Sequence, residues 1–140
     1  MTSDDQAKWR QDRRHAVTVH AEAEARRRAV EVSQARALVA DFVRRARERG
    51  LPTEPLVARA YSGGGRYRTG LRGWYLKADR SMAVAEDGAF YLLAVPASLR
   101  ARLTGVTLRA DDPPLVVGKG GRDGESIPLA TLLERALSRD

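Results

Sequence analysis

The first 50 residues carry a helical pattern. No glycine or proline interrupts the chain between Asp4 and Arg49. In the second half of this stretch the apolar residues recur at spacings of three and four, at Val32, Ala35, Val39, Phe42, Val43 and Ala46. Such spacing places side chains on one face of a helix. The pattern predicts a long helix whose second half packs on a core.

Both ends of this helix carry capping signals. Ser3 and Gln6 have the spacing of a capping box, and the two aspartates between them suit the positive end of the helix dipole. Gly50 followed by Pro52 is typical of a helix end. A continuous helix from Asp4 to Arg49 would be about 69 Å long, at about 1.5 Å per residue.

The first half of the helix is weakly apolar. Between residues 8 and 29 the apolar positions are mostly alanine, and only Trp9, Val17 and Val19 are larger. Counting back from Val39 by sevens gives Val32, Ala25, Thr18 and Gln11. That series is a poor seam for a coiled coil. The sequence predicts an arm that projects or pairs with itself, and the alternative is a break into two packed helices.

Beyond Pro52 the pattern changes to alternation. Apolar residues alternate with polar ones from Trp74 to Val84, and Asp87-Gly88 is typical of a hairpin turn. Residues 90–95 are apolar on both faces, which predicts a central strand. Two further short strands are expected at residues 106–109 and 115–117.

A short apolar helix is predicted at the end of the chain. Ser126 is its expected cap, and Pro128 lies in its first turn. One face would consist of Leu129, Leu132, Leu133, Ala136 and Leu137. We therefore expect an α+β fold with a long N-terminal helix, an antiparallel sheet of four to five strands built from hairpins, and a C-terminal helix packed on it. Residues 1–50 would form the arm, its second half packing on the body, and residues 51–140 a compact domain.

Composition bounds the classes of function. The chain has no cysteine, which excludes disulfides, thiolate nucleophiles and iron-sulfur clusters. Its net charge of +7 favours an anionic partner, although the charge is spread along the chain without a basic tail. The polar N-terminus is unlike a signal peptide, and no apolar run approaches the roughly 18 residues of a membrane span. We expect a soluble, cytoplasmic protein with no membrane partner.

The sequence offers no catalytic or metal-binding motif. His15 and His20 are five residues apart, whereas two ligands on one helix face are four apart. There is no serine in a Gly-x-Ser-x-Gly motif and no histidine in the β region to act as a base. We predict no catalytic residue, no metal, no cofactor and no enzymatic activity.

The stretch from Tyr61 to Lys77 is rich in glycine, aromatic residues and cations. These types suit contact with a single-stranded nucleic acid. The candidate residues are Arg66, Tyr67, Arg68 and Arg72. The favoured interpretation is a mobile glycine-rich loop that leads into a strand, because alternation predicts Trp74 inward and Tyr75 outward.

A second glycine-rich segment runs from Val116 to Ser126 and leads from a strand into a helix. Backbone N–H groups at a helix start can hold an anion. The candidate residues are Gly118, Lys119, Gly120, Gly121 and Arg122. A dinucleotide fingerprint would need glycine in place of Asp123. The alternative is a tight connection that carries capping acids.

Three hypotheses of function follow. The first is a non-enzymatic interaction protein whose helical arm self-associates or docks on a protein partner. The second is a basic nucleic-acid-associated protein that uses arginines of the arm and of residues 61–77. The third is an anion- or nucleotide-binding protein that uses residues 118–126.

Overall fold

The computed structural model describes residues 2–118 and 126–139. It begins with one continuous helix of 46 residues, α1 (Ser3–Glu48), which confirms the predicted long helix. The cap lies one residue earlier than predicted, because Thr2 has an extended backbone and its hydroxyl accepts the Asp5 N–H. The Asp5 carboxylate accepts the Thr2 N–H in return, so that Asp5 takes the place expected for Gln6.

The predicted end of α1 is confirmed in detail. Gly50 has a φ of 66°, the left-handed conformation that glycine adopts at low cost. Its N–H donates to the carbonyl of Arg47 at 3.1 Å, and the N–H of Leu51 donates to that of Ala46 at 2.9 Å. These two bonds form a Schellman motif, which satisfies carbonyls that the helix leaves free.

The β region forms a five-stranded sheet with short elements around it. Its strands are β1 (Glu54–Ala60), β2 (Arg66–Tyr75), β3 (Met82–Ala85), β4 (Phe90–Leu92) and β5 (Ala94–Val95), in the order β4-β3-β2-β1-β5. The remaining elements are α2 (Leu99–Thr104), β6 (Val116–Val117), β7 (Ile127–Pro128) and α3 (Leu129–Leu137). The fold is α+β as predicted. The sheet is mixed rather than antiparallel, because β5 pairs with β1 in parallel.

Leu93 joins the two edges of the sheet. Its N–H donates to the carbonyl of Ser81 beside β3 at 2.9 Å, and its carbonyl accepts the N–H of Arg59 in β1 at 2.7 Å. The segment from β4 to β5 therefore bonds to strands at both edges of the sheet. The sheet must curl to bring these two edges together. The prediction of one central strand at residues 90–95 was therefore wrong, because this segment forms the two edge strands. It is apolar on both faces because both faces of the curled sheet are covered.

Other predicted elements differ in their bounds. The alternation from Trp74 to Val84 was interpreted as one strand, but a turn with Arg80 at φ 60° divides it into β2 and β3. The Asp87-Gly88 turn is confirmed between β3 and β4. Residues 106–109 form no strand, and their only backbone bond to the sheet among the described residues joins Val106 to β2.

The helix α3 forms as predicted but begins differently. Its five predicted apolar residues are all buried. Ser126 does not cap it, because β7 intervenes and the N-cap position is Pro128, which offers no side-chain hydrogen bond. The N–H of Leu129 donates instead to the carbonyl of Leu115 at 2.8 Å. A tertiary contact thus replaces the expected local cap.

One face of the sheet packs against the helices α1 and α3. The α1 stripe and α3 contact Trp74, Leu76, Val84 and Phe90 of the sheet region. The rings of Phe42 and Trp74 meet edge to face with centroids 5.7 Å apart. The other face holds a smaller cluster of Leu56, Tyr75, Ala83, Ala85, Tyr91 and Leu93. Tyr75 is therefore buried, and the prediction that it points outward to solvent was wrong.

An ion pair links the two helices at the surface. Arg45 of α1 contacts both carboxylate oxygens of Glu134 of α3, one of them at 3.2 Å. The hydrogen bond from Arg45 lowers the pKa of Glu134. A lowered pKa in the folded state stabilises the fold above the ordinary glutamate pKa, and that stabilisation is lost as pH falls through the folded-state pKa.

We expect Glu134→Gln to lower the melting temperature at neutral pH. The difference from the unmodified protein should shrink in acid, because Glu134 then becomes protonated and gives up the same ion pair. Melting curves from neutral to acidic pH check this, with Glu22→Gln in the exposed part of α1 as a control that should show no such convergence. A difference that stays constant with pH would contradict the role of the ion pair.

Candidate interaction surfaces

The first 29 residues of α1, residues 3–31, form what we call the free arm. Every residue in it is exposed except Ala23, which is half-buried. The first buried residue of the helix is Ala35, where the packed stripe begins. The free arm also carries large apolar side chains, with Trp9 58% and Val17 64% exposed. It is therefore a helix that extends beyond the body without tertiary support.

The second apolar position that a coiled-coil heptad requires is mostly polar or charged along the free arm. The sequence analysis nevertheless missed a heptad of single apolar residues that runs along the arm and slightly beyond it. Its positions, seven residues apart, are Trp9, Ala16, Ala23, Val30 and Ala37. Val30 and Val32 are about 200° apart around the helix, so the heptad faces away from the stripe that packs on the body. Counting only from the packed Val39 concealed it. Counting from each large apolar residue would have found it.

Trp9 lies near the outer end of this heptad. The guanidinium of Arg13 lies 5.1 Å from the centre of its ring, the geometry of a cation–π contact. Trp9, Arg10, Arg13, Arg14 and Val17 line a shallow depression on the arm. This end of the arm therefore combines an exposed aromatic ring with positive charge.

A groove of about 810 Å³ lies where the free arm meets the body. Its apolar lining includes Val32, Pro113, Pro114, Leu115 and Val116. An ion pair between Arg36 and Asp112 crosses beside it and ties the helix to the loop before β6. The groove has the shape and polarity of a contact surface rather than of an enclosed ligand site.

The four nucleic-acid candidates do not form one surface. Residues 61–65 form the loop between β1 and β2, and β2 begins at Arg66. Arg66 and Arg68 are exposed on the same face of β2. Tyr67 is 2% exposed, and its hydroxyl accepts the N–H of Ser98 at 2.9 Å. Arg72 donates to the carbonyl of Thr53 at 3.0 Å. The prediction that Tyr67 could stack on a base was wrong, because its ring packs in a core and offers no exposed face.

The helix α2 covers Tyr67 from outside. Ser98 caps it by accepting the N–H of Ala101 at 3.1 Å, and Ala101 packs against Ala58 and Tyr67. Leu99 and Leu103, four residues apart, point outward and are 81% and 79% exposed. A cavity of about 260 Å³ separates the start of α2 from residues 62–65. Sequence reasoning missed α2 entirely, although the Ser98 cap was a usable signal.

The predicted anion site lies mostly outside the described residues. Gly118 is exposed with a φ of 84°. Lys119, Gly120, Gly121 and Arg122 fall in the segment 119–125, which the structure does not describe. The hypothesis of an anion site there stays a prediction.

The described residues hold no cluster of metal-ligating side chains, and the pKa of one carboxylate in a turn is lowered by hydrogen bonds. Within residues 2–118 and 126–139, no three histidine, aspartate or glutamate side chains converge as a metal site would require. Partial burial opposes ionisation of Asp79, but hydrogen bonds from the hydroxyl and N–H of Ser81 lower its pKa overall. This carboxylate therefore stabilises the turn between β2 and β3.

Among the described helices, none combines the length and the apolar character needed to cross a membrane. No protein-family model, curated protein or solved structure matches the chain significantly.

Proposed function

We propose that this protein is a non-enzymatic interaction protein, in which the α+β body carries a helical arm for self-association or for docking on a protein partner. The single observation that supports this most strongly is the free arm. An isolated helix in water gains nothing from tertiary packing, and most helical stability in proteins comes from an amphipathic face packed on something else. The free arm is a continuous helix with exposed apolar side chains and no such packing within the described residues.

The heptad supports a helix as the partner of the free arm. Five apolar residues at intervals of seven keep one seam on the same side of a supercoiled helix over about 42 Å, at about 1.5 Å per residue. Three of them are alanines, which allow two helix backbones to approach closely. Trp9 and Val30 supply the larger contacts, one towards each end of the free arm.

Self-association is the form of this function that purified protein can test directly. We expect the full chain to associate in solution and a chain shortened to begin at Val30 to be monomeric. The shortened chain retains the whole packed stripe from Ala35 to Ala46, so the body keeps its core. Multi-angle light scattering on both proteins over a range of concentrations gives the masses.

A matched pair of full-length variants locates the contact. Trp9→Glu should reduce the association, because it places a charge in the heptad. Ala21→Glu adds the same charge about 140° around the helix from Ala16, outside the depression that Trp9 lines, and should leave the mass unchanged. A full-length protein that is monomeric at every concentration would contradict self-association and leave only docking on a different protein.

A further inference from the structure

The surface that β1, β2 and α2 form together combines positive charge with protruding apolar side chains. We call it the hairpin–α2 surface and define it by Tyr61, Arg68, Leu99, Arg100, Arg102 and Leu103. Tyr61 is 73% exposed, and the two leucines are the most exposed large apolar residues among those described. An exposed apolar cluster amid charge is typical of an interaction site.

The residues of this surface lie close together in the fold. Arg59 and Arg66 are directly paired across β1 and β2. The guanidinium of Arg68 donates to the carbonyl of Leu103 at 3.2 Å, which brings β2 to the end of α2. Arg102 and Leu99 line the same cavity as residues 62–65. The hairpin and α2 therefore present one continuous surface.

The only carboxylate in the elements of this surface is Glu54 at the first position of β1, where it pairs with Arg80 at 3.9 Å. No aspartate or glutamate occurs in residues 55–78 or 88–110. Among the described residues, Arg59, Arg66, Arg68, Arg100 and Arg102 form no ion pair with a carboxylate. Like charges directly opposite each other on neighbouring strands, as at Arg59 and Arg66, destabilise a sheet. An anionic partner would relieve that repulsion.

The apolar side chains narrow the class of partner. Arginines alone suit phosphates of any kind, but leucine has no π face on which a base stacks. Leu99 and Leu103 protrude from α2, while Ala101 between them turns inward. Outward leucines flanked by arginines match a membrane interface, where acyl chains take up the leucines and anionic headgroups pair with the arginines.

We propose that the hairpin–α2 surface binds the surface of an anionic lipid bilayer. The protein would lie on the membrane without spanning it. Leu99, Leu103 and Tyr61 enter the boundary between headgroups and acyl chains, and Arg100 and Arg102 neutralise headgroup charge. This proposal is independent of the free arm and of its partner.

Co-sedimentation of the full chain with vesicles tests the proposal. We expect binding to phosphatidylcholine vesicles that contain roughly one third phosphatidylserine, and little binding to pure phosphatidylcholine. Leu99→Gln with Leu103→Gln should weaken binding about tenfold or more, because two apolar insertions are lost. Arg100→Gln with Arg102→Gln should weaken it about 25-fold, at about fivefold per arginine.

A charge-matched control separates this surface from net charge. Arg26→Gln with Arg27→Gln removes the same charge from the free arm and should change vesicle binding less than about twofold. All substituted positions are exposed, so unchanged melting temperatures will show that each variant folds. An equal loss in the control variant would reduce the effect to net charge and overturn the proposal, as would an absence of binding to the anionic vesicles.

Nucleic acid is the competing partner, and the same variants distinguish it. A single-stranded oligonucleotide would lose affinity in the arginine variant and keep it in the leucine variant. If that result accompanied an absence of vesicle binding, the surface would be a nucleic-acid site and the bilayer proposal would be wrong. Loss of vesicle binding in the leucine variant at unchanged charge is the result that a nucleic-acid site does not produce.

Discussion

Replacing Phe42 with alanine should lower the free energy of unfolding by about 3–5 kcal/mol, the range for a large aromatic residue removed from a core. Phe42 is 1% exposed and lies on the α1 stripe, where its ring meets the edge of Trp74. The indole N–H of Trp74 is held by the carbonyl of Leu51 at 3.1 Å, so this ring is not free to move into the cavity. The full cost of the cavity is therefore expected.

Chemical denaturation followed by tryptophan fluorescence measures this loss. Tyr61→Ala is a suitable control, because it also removes a large aromatic side chain, but from a position that is 73% exposed. Substitutions at such positions usually change stability by about 0.5 kcal/mol or less. Equal stability of the Phe42 variant and the unmodified protein would contradict the packing of α1 on the sheet.

The sequence predicted the helices α1 and α3 well, whereas it missed α2. A stripe such as Val39 to Ala46 repeats within two turns, and its end at Gly50 depends on residues next to it in the chain. Both signals are local in the sequence, so they can be recognised without knowing which surface the helix packs on. The cap of α3 shows the limit, because the Leu115 carbonyl that receives the first N–H is distant in sequence.

The strands were harder to predict, for two physical reasons. Trp74 pairs with Val84 across the turn, so residues of the same parity face the same side on both strands and a hairpin imitates one long strand. The sheet is also covered on both faces, which removes the alternation that normally separates core from solvent. For that reason Tyr75 and the edge strands near Leu93 were misplaced.

Whether a residue belongs to a candidate surface depends on its exposure in the fold, and composition does not predict that exposure. Tyr67 and Tyr61 are both tyrosines in the same glycine-rich stretch, yet the first is buried under α2 and the second is exposed. The leucines of α2 gave no signal because a six-residue helix is too short for a periodic pattern. Their place on a surface became visible only from the fold, in which both side chains point outward.

Gly73 is expected to be the least replaceable glycine of the sheet. It lies in β2, paired with Glu54 of β1 on one side and with Ala85 of β3 on the other. A Cβ atom there would collide with the carbonyl oxygen of Val84 and would lie 2.6 Å from the Cα of Ala85. Both are backbone atoms of β3, so no side-chain rotation relieves the contact.

Gly73→Ala should therefore lower the free energy of unfolding by about 3 kcal/mol or more, because β3 must move away from β2 and lose pairing. Gly64→Ala is the matched control. It makes the same substitution in the β1–β2 loop, where an added Cβ has no neighbour within 4 Å. That variant should be unchanged or slightly more stable, since alanine restricts the unfolded chain. Denaturant unfolding of both proteins decides the matter, and equal stabilities would mean that β2 and β3 are not paired as closely as the structure places them.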